Sequence, residues 1–328
     1  MINPEMHVRD DWAAATEKGA TRDGFGKGVL EAGREDARIV VLSADLAEST
    51  RAEWFQKEFP QRFIELGVAE QNMATVAAGM ANYGKIPFFT SYAAFSPGRN
   101  WEQIRTTIAL NDVHAVVCGM HAGISVGPDG ATHQMLEDIA IMRAMPNMIV
   151  ISACDVEEAR KATHAAAKIG KPVYMRFGRE KTPVITTAET PFSIGKANVL
   201  IQHDSPKVAI FATGPLVHSA LLAAQALEKE GIAASVTNVH TIKPLDAETV
   251  EREAKLAGAV VTVEEHQITG GLGGAIAEVL AQSSPVPMEF IGVQDLFGQS
   301  GTPDELYAHY KMDVPHIIEA AKKVLSRV

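Results

Sequence analysis

A carboxylate at a strand-to-helix turn, Glu70, is the residue with the most chemical promise in this chain. It stands in Phe63-Ile64-Glu65-Leu66-Gly67-Val68-Ala69-Glu70-Gln71-Asn72-Met73, where a strand-like run from Phe63 to Leu66 meets a glycine and a helix begins. Met73, Val76, Ala77 and Met80 recur at spacings of three and four, which predicts a helix that stops before Gly84. Strand-to-helix turns are where open α/β sheets bind ligands, so Glu70 belongs to a mouth rather than a core. Taken alone, a carboxylate at a helix start is a favourable charge beside the helix dipole. A proton-handling role requires further groups at the same mouth.

Three segments offer such groups. Leu42–Ser49 follows a strand-like run and places Asp45 and Ser49 at its exit, although Ser43, Asp45 or Ser49 could simply cap a helix. Ile86–Phe95 gathers aromatics at a strand end, where each ring taken singly reads as core packing. Met120–Gln134 is a glycine-rich loop between strand and helix that carries His121, Asp129 and His133. Loops of this kind at strand exits are functional more often than not, and Thr132 could cap the helix that follows. A zinc site built from His121, Asp129 and His133 is disfavoured, because Gly127, Pro128 and Gly130 break the helix that would align the last two. No Gly-x-Ser-x-Gly elbow supplies a hydrolase nucleophile. No phosphate-cradling or dinucleotide glycine signature follows the first strand.

The elements that must position these groups alternate along the chain. Strands are expected at Arg38–Leu42, Phe63–Leu66, Ile86–Thr90, Val113–Cys118, Met148–Ser152 and Pro172–Phe177. Helices are expected at Gly24–Gly33, Arg51–Phe59, Glu70–Asn82, Pro97–Leu110, Met135–Ala144 and Asp155–Ile169. A polar stretch at 180–192, EKTPVITTAETPF, reads as a linker. Beyond it, strands at Lys207–Ala212, Ala234–Asn238, Ala259–Glu264 and Met288–Ile291 alternate with helices at Leu216–Gly231, Asp246–Leu256, Gly271–Ala281 and Val314–Leu325. The fold class is therefore α/β, in two domains at 1–190 and 193–328, each a mostly parallel sheet flanked by helices.

The bulk numbers agree. At 328 residues the chain exceeds one ordinary core. It is 46% hydrophobic and 21% charged, the make-up of a globular protein. A net charge of −10 argues against non-specific binding to nucleic acid or anionic membranes, while leaving room for a local basic pocket. Cys118 and Cys154 both sit in or beside apolar runs, outside any CxxC pair, and read as buried free thiols of a cytoplasmic protein.

The strings FIELGVAEQNMATVAAGMANYG, PFFTSYAAF and HAGISVGPDGATHQ together resemble the pyrimidine-binding domain of transketolase, and VVTVEEHQITGGLGGAIAEVL resembles the transketolase C-terminal domain. The resemblance runs from about Thr21 to near the C-terminus and matches the small subunit of a split transketolase. It implies thiamine diphosphate as cofactor, with Glu70 on the aminopyrimidine ring, driving its reactive tautomer in a dry pocket. It also implies Phe89 and Tyr92 packed on that ring, Ile86 in place of a third aromatic, Asp45 on the cofactor side of a subunit interface, and His133 close to the aminopyrimidine. On the substrate side it implies Arg22, Arg179, Ser49 and His121 as ligands of a sugar phosphate, with Asp129 reading a sugar hydroxyl. Arginine suits phosphate because its fork donates two parallel charge-assisted hydrogen bonds.

The diphosphate-binding motif of whole transketolases, Gly-Asp-Gly followed by Asn-Asn, is not found in these residues. The expectation is that a separate N-terminal, diphosphate-binding subunit holds the diphosphate with Mg2+ or Ca2+, in an α2β2 heterotetramer. The implied reaction moves a two-carbon ketol unit from a ketose phosphate to an aldose, with pentose phosphates as the default sugars. A 1-deoxyxylulose-5-phosphate synthase, the β subunit of a 2-oxoacid dehydrogenase E1 and a non-catalytic paralogue are the competing readings. Glu264, Glu265, His266 and the Gly270–Gly273 turn mark another strand exit, read as a tight interface turn in preference to a phosphate site.

Overall fold

The computed structural model describes residues 1–328. Fourteen strands form in chain order. They are β1 (Lys18–Ala20), β2 (Ile39–Ser43), β3 (Phe63–Glu65), β4 (Ile86–Tyr92), β5 (Val116–Met120), β6 (Ile149–Ser152) and β7 (Val173–Arg176), then β8 (Lys181–Pro183), β9 (Asn198–Ile201), β10 (Val208–Ala212), β11 (Ala234–Asn238), β12 (Thr241–Lys243), β13 (Val260–Gln267) and β14 (Met288–Val293). A seven-stranded sheet runs β12-β6-β7-β5-β4-β2-β3, and a five-stranded sheet runs β14-β13-β10-β11-β9. Both are parallel except at β12 and β9, which pair antiparallel at sheet edges.

Continuous apolar runs explain the parallel core. Every residue of β2, β5, β6 and β7 is buried, as expected for strands covered by helices on both faces. Alternation then sorts side chains between faces. Phe88 joins a cluster with Phe25, Phe55 and Val116, while Phe89 joins one with Val40, Met73 and Tyr174. The second cluster also contains Val239, Val250 and Leu272, so the two halves of the chain share one core.

On the other face, the helix Thr21–Glu35 crosses the helix Val156–Ala166 at close range. A Cβ on Gly24 would fall 2.2 Å from the Val156 carbonyl oxygen, and one on Gly28 would fall 2.5 Å from that of Arg160. Two glycines one helical turn apart thus permit the close approach of the helix whose first turn carries Arg22.

Several elements depart from expectation. Residues 180–192 contain β8, which pairs antiparallel with β1. The buried Asp155 carboxylate holds the neighbouring residues by accepting from Ile185 N, Thr186 N and Thr186 Oγ1 at 2.7–2.8 Å. It also caps its own helix through Glu157 N and Glu158 N. β12, from the second half of the chain, completes the first sheet against β6. The expected helix at Pro97–Leu110 is a turn through residues 93–100, one short turn at Trp101–Gln103 and a π-helical segment at Ile104–Ala109. Pro97 and Gly98 account for the late start, since proline lacks the amide and glycine weakens a helix. The expected helix at Met135–Ala144 forms only over Asp138–Arg143. Thr132 does not cap it but bonds His133 Nδ1 at 2.9 Å. No helix is long and apolar enough to cross a membrane.

Candidate active site

Five adjacent parallel strands, in the order β7-β5-β4-β2-β3, deliver their C-terminal ends to one edge of the sheet. That edge is the ligand-binding edge of an open parallel sheet. β3 leads to Glu70, β2 to Asp45 and Ser49, β4 to Tyr92, β5 to His121, and β7 to Arg179. Residues that are far apart in sequence therefore share a mouth because their strands share a direction.

Glu70 opens the helix Glu70–Asn82 and is 2% exposed. Its Oε2 has no hydrogen-bond partner, and its one ionic neighbour is the exposed Arg99, with Nη1 at 3.6 Å. Buried carboxylate oxygens are ordinarily satisfied, so an orphan at a mouth marks a place for a donor that the chain does not supply. The backbone there is fixed by Asn100, whose Nδ2 donates to Glu70 O at 3.0 Å and to Ser96 Oγ at 3.1 Å. The turn that follows β4 thus braces Glu70.

The same turn carries the aromatic wall. Tyr92 stacks on His121 with ring centres 4.2 Å apart, and Phe95 meets His133 edge-on at 5.5 Å. His133 also lies 6.0 Å from Tyr92. Phe95 is the aromatic that sequence reasoning missed as a site residue, although it lies only three residues after Tyr92. Ile86 is the first residue of β4, six residues before the mouth, and is buried against the far part of the sheet. At about 3.3 Å per strand residue it lies roughly 20 Å from Tyr92. Phe89 is fully enclosed in the shared core, in one cluster with Met73 and Ala74 of the Glu70 helix. It stands behind the mouth and not on its surface. The structure therefore brings neither Ile86 nor Phe89 to the exposed wall, which Tyr92 and Phe95 form. A strand hides all but its last residues under its helices, so only the end of β4 reaches the open rim.

Next to this wall stands a polar pocket. Arg22 Nη1 lies 3.0 Å from His121 Nε2 and donates to Ser49 O at 2.9 Å. A guanidinium can only donate, so His121 Nε2 must accept, and its proton resides on Nδ1. Burial, reinforced by Arg22 and Arg179, lowers the His121 pKa to about 3. The ring is therefore neutral. His121 Nδ1 and Arg22 Nε are both buried donors without partners. Burial and the nearby Arg51 also lower the Arg22 pKa, yet a guanidinium stays charged. Arg179 Nη1 donates to Val126 O at 3.1 Å and lies 3.6 Å from Asp129 Oδ2. Cationic groups with unspent donors in a half-buried pocket fit an anion with several acceptor oxygens.

Asp45 is exposed and held at a φ of 59°. Its amide donates to Glu65 Oε1 at 2.8 Å, the atom that also accepts Gly67 N at 2.9 Å. Asp45 thus stands at the rim beside the end of β3. Arg51, bonded to Asp23 Oδ1 at 2.7 Å, borders that pocket and was not foreseen. His121, Asp129 and His133 do not gather around a common point, and no three His, Cys, Asp or Glu residues do so anywhere. Cys118 and Cys154 are both buried and unpaired.

The turn at Gly270–Gly273 is already filled. The buried Glu264 carboxylate accepts Leu272 N at 2.7 Å and Gly273 N at 2.8 Å, capping the helix Leu272–Ser283. A Cβ on Gly271 would fall 1.9 Å from Glu264 Oε2. An internal carboxylate thus occupies the place an incoming phosphate would take. Burial raises the Glu264 pKa to about 7, and the two amides oppose that rise.

Comparison with known proteins agrees with this geometry. The family "Transketolase, pyrimidine binding domain" matches residues 17–184, and "Transketolase, C-terminal domain" matches residues 195–317. The chain is 44% identical over 310 residues to a putative transketolase C-terminal section of Methanocaldococcus jannaschii, covering 94% of this chain and 96% of that one. It is 40% identical to a 6-deoxy-6-sulfo-D-fructose transketolase subunit of Clostridium sp., covering 93% of this chain and 94% of the other. An apulose-4-phosphate transketolase subunit of Phocaeicola vulgatus is 35% identical, with coverage of 94% and 98%. Among solved structures, a split gene transketolase described as an inactive beta4 tetramer superposes with a TM-score of 0.87 at 42% identity, over 94% of this chain and 98% of that one. Two successive family matches and relatives of 35–44% identity aligned over nearly the whole of both chains show that this chain belongs to the transketolase family.

Proposed function

We propose that this chain is the pyrimidine-binding subunit of a two-subunit enzyme that moves a two-carbon ketol unit from a ketose phosphate to an aldose. The single observation that carries this reading is the Glu70 carboxylate, enclosed at the mouth with an unpartnered oxygen. Thiamine diphosphate, on which the transketolase family depends, supplies a nucleophilic ring carbon for breaking the bond beside a ketose carbonyl. The residues present fit its pyrimidine end. Glu70 Oε2 offers an acceptor to a ring N–H, and Tyr92 and Phe95 offer an apolar wall.

Each residue then has a task. Glu70 Oε2 is the acceptor for that ring proton, in a place shielded from bulk water. His133, held by Thr132 and edge-on to Phe95, is the second proton-handling residue, on the aminopyrimidine side of the mouth. Arg22, with Arg179 and Ser49 beside it, binds a phosphate, and neutral His121 donates through Nδ1. Asp129 receives a sugar hydroxyl and Asp45 faces a partner chain. The split-type relatives, two of them called subunits, support a separate chain for the diphosphate and its Mg2+ or Ca2+. Those relatives also support sugars other than the ordinary pentose phosphates as substrates worth testing.

The test is reconstitution. The chain would be mixed with a candidate partner chain that carries Gly-Asp-Gly and Asn-Asn, and assayed against a panel of ketose phosphates. Turnover that needs both chains and thiamine diphosphate is the expected result. Loss of Glu70 as Glu70→Ala should lower kcat by about a hundredfold or more, the scale of a lost proton-transfer group. Full turnover by the Glu70→Ala pair, or by the isolated chain, would overturn the reading.

A further inference from the structure

The loop that carries His121, Asp129 and His133 is gripped from the other half of the chain. Glu265, near the end of β13, is 1% exposed and sends its carboxylate across to that loop. Its Oε1 accepts Ser125 N at 2.5 Å. Gly123, at a φ of 87°, lies so close that an added Cβ would sit 2.5 Å from the carboxylate. Side chain and backbone are thus in direct contact at the one stretch between His121 and Asp129.

The far end of the loop is tied to the same strand. Arg176 Nη2 donates to Glu265 O at 2.7 Å, while its Nε donates to Asp138 Oδ2 at 2.8 Å. Gln134 Nε2 donates to Ile124 O and to Gln299 O, each at 3.0 Å, so it joins both limbs of the loop to the segment before the helix Pro303–His309.

The Glu265 arrangement is costly as a purely structural device. Its Oε2 has no hydrogen-bond partner although it is buried. Burial raises its pKa, against the pull of Arg176, of Ser125 and of the nearby Tyr307 hydroxyl, which stands beside the carboxylate without making a direct bond to Oε2. A buried carboxylate with an unsatisfied oxygen contributes little net stability, and an apolar side chain of similar size would serve a core as well. What the carboxylate provides is a charge-assisted bond to one particular amide, in a fixed direction. A cavity of about 380 Å3 lined in part by Ser125 and Tyr307 adjoins the contact, which leaves the loop room to move when the bond is lost.

We propose that Glu265 is a positioning residue for the active site: it fixes Gly123–Ser125, and through them sets His121 and Asp129 for the sugar phosphate. This rests on the proposed ketol-transfer reading for its substrate. It gives the C-terminal half a direct part in substrate binding.

The experiment uses the full chain with its diphosphate-binding partner and compares Glu265→Ala with Glu265→Gln. Glu265→Ala should raise KM for the ketose phosphate by about tenfold while kcat changes less than about threefold, the signature of lost substrate binding. Glu265→Gln keeps an oxygen for Ser125 N and should return KM to within about twofold of the unsubstituted enzyme. Amide hydrogen exchange on the chain alone gives an independent readout. Residues 121–134 should exchange faster in Glu265→Ala while residues 86–92 do not change. Should Glu265→Ala fail to fold, Glu265→Asp, which withdraws the oxygen by one methylene, must show the same selective loosening. Unchanged exchange in residues 121–134, or an unchanged KM in a folded Glu265→Ala enzyme, would overturn the proposal. If the unsubstituted pair shows no ketol transfer at all, the functional reading fails, and the exchange comparison alone decides whether Glu265 positions the loop.

Discussion

His121 and Arg22 work as a pair because neither can satisfy the other completely. The neutral imidazole accepts from the guanidinium on Nε2, which leaves its Nδ1–H and the Arg22 Nε–H as buried spare donors. An imidazolium in the same place would repel the guanidinium, and the pKa of about 3 reflects burial together with that repulsion. A histidine with a lowered folded pKa is stabilising above its unfolded value, near 6.5, and loses that contribution as pH falls toward about 3. His121 should therefore show no protonation between pH 5 and 8 in nitrogen-detected histidine NMR. A midpoint near 6.5 would contradict the assigned tautomer. Replacement of Arg22 by lysine keeps a charge and loses the fork. Arg22→Lys should raise KM for a phosphorylated ketose by about tenfold or more, and alter KM for an unphosphorylated analogue far less, as read from initial rates.

At the scale of elements, the site depends on how closely helices approach the sheet and each other. Gly24 and Gly28 permit the close approach of the helix whose first turn carries Arg22. Gly24→Ala places a methyl against a backbone carbonyl, which cannot move aside as a side chain could. It should destabilise the protein by about 1–3 kcal/mol, measured by urea denaturation. Asp155 ties the helix Val156–Ala166 to residues 185 and 186 with five accepted hydrogen bonds. Asp155→Ala strands those buried donors and should cost about 3–5 kcal/mol, seen as a fall in Tm. The polar composition of EKTPVITTAETPF suggested a linker because threonine and proline mark turns. Which carboxylate would collect its amides could not be read from local sequence, since Asp155 is 30 residues away from Ile185.

At the scale of the molecule, the two halves are joined by a sheet and a core. β12 lies in the second half of the chain but closes the edge of the first sheet, and Val239, Val250 and Leu272 pack with Val40 and Phe89. A shared core and a shared sheet imply shared unfolding. Calorimetry of the full chain should give one transition, with calorimetric and van't Hoff enthalpies in agreement; two resolved transitions would mean the halves are energetically separate. The same coupling connects Glu265 to the loop of His121.

The sequence by itself determined the alternation of strands and helices, and with it the direction of the parallel strands. That direction is enough to bring Glu70, Asp45, Ser49, Tyr92, His121 and Arg179 to one edge, because each follows the end of a strand. It also carried the family resemblance, which rests on local strings. Distances across the chain were decided only by tertiary structure. Nothing local in PFFTSYAAF tells where the covering helices end, so it does not separate Ile86 and Phe89, which lie beneath them, from Tyr92 and Phe95, which reach the rim. Nothing local in VVTVEEHQ tells that Glu264 turns to its own helix while Glu265 crosses to the loop at Ser125. Adjacent strand residues point to opposite faces, and only the packing of the two sheets decides what each face meets.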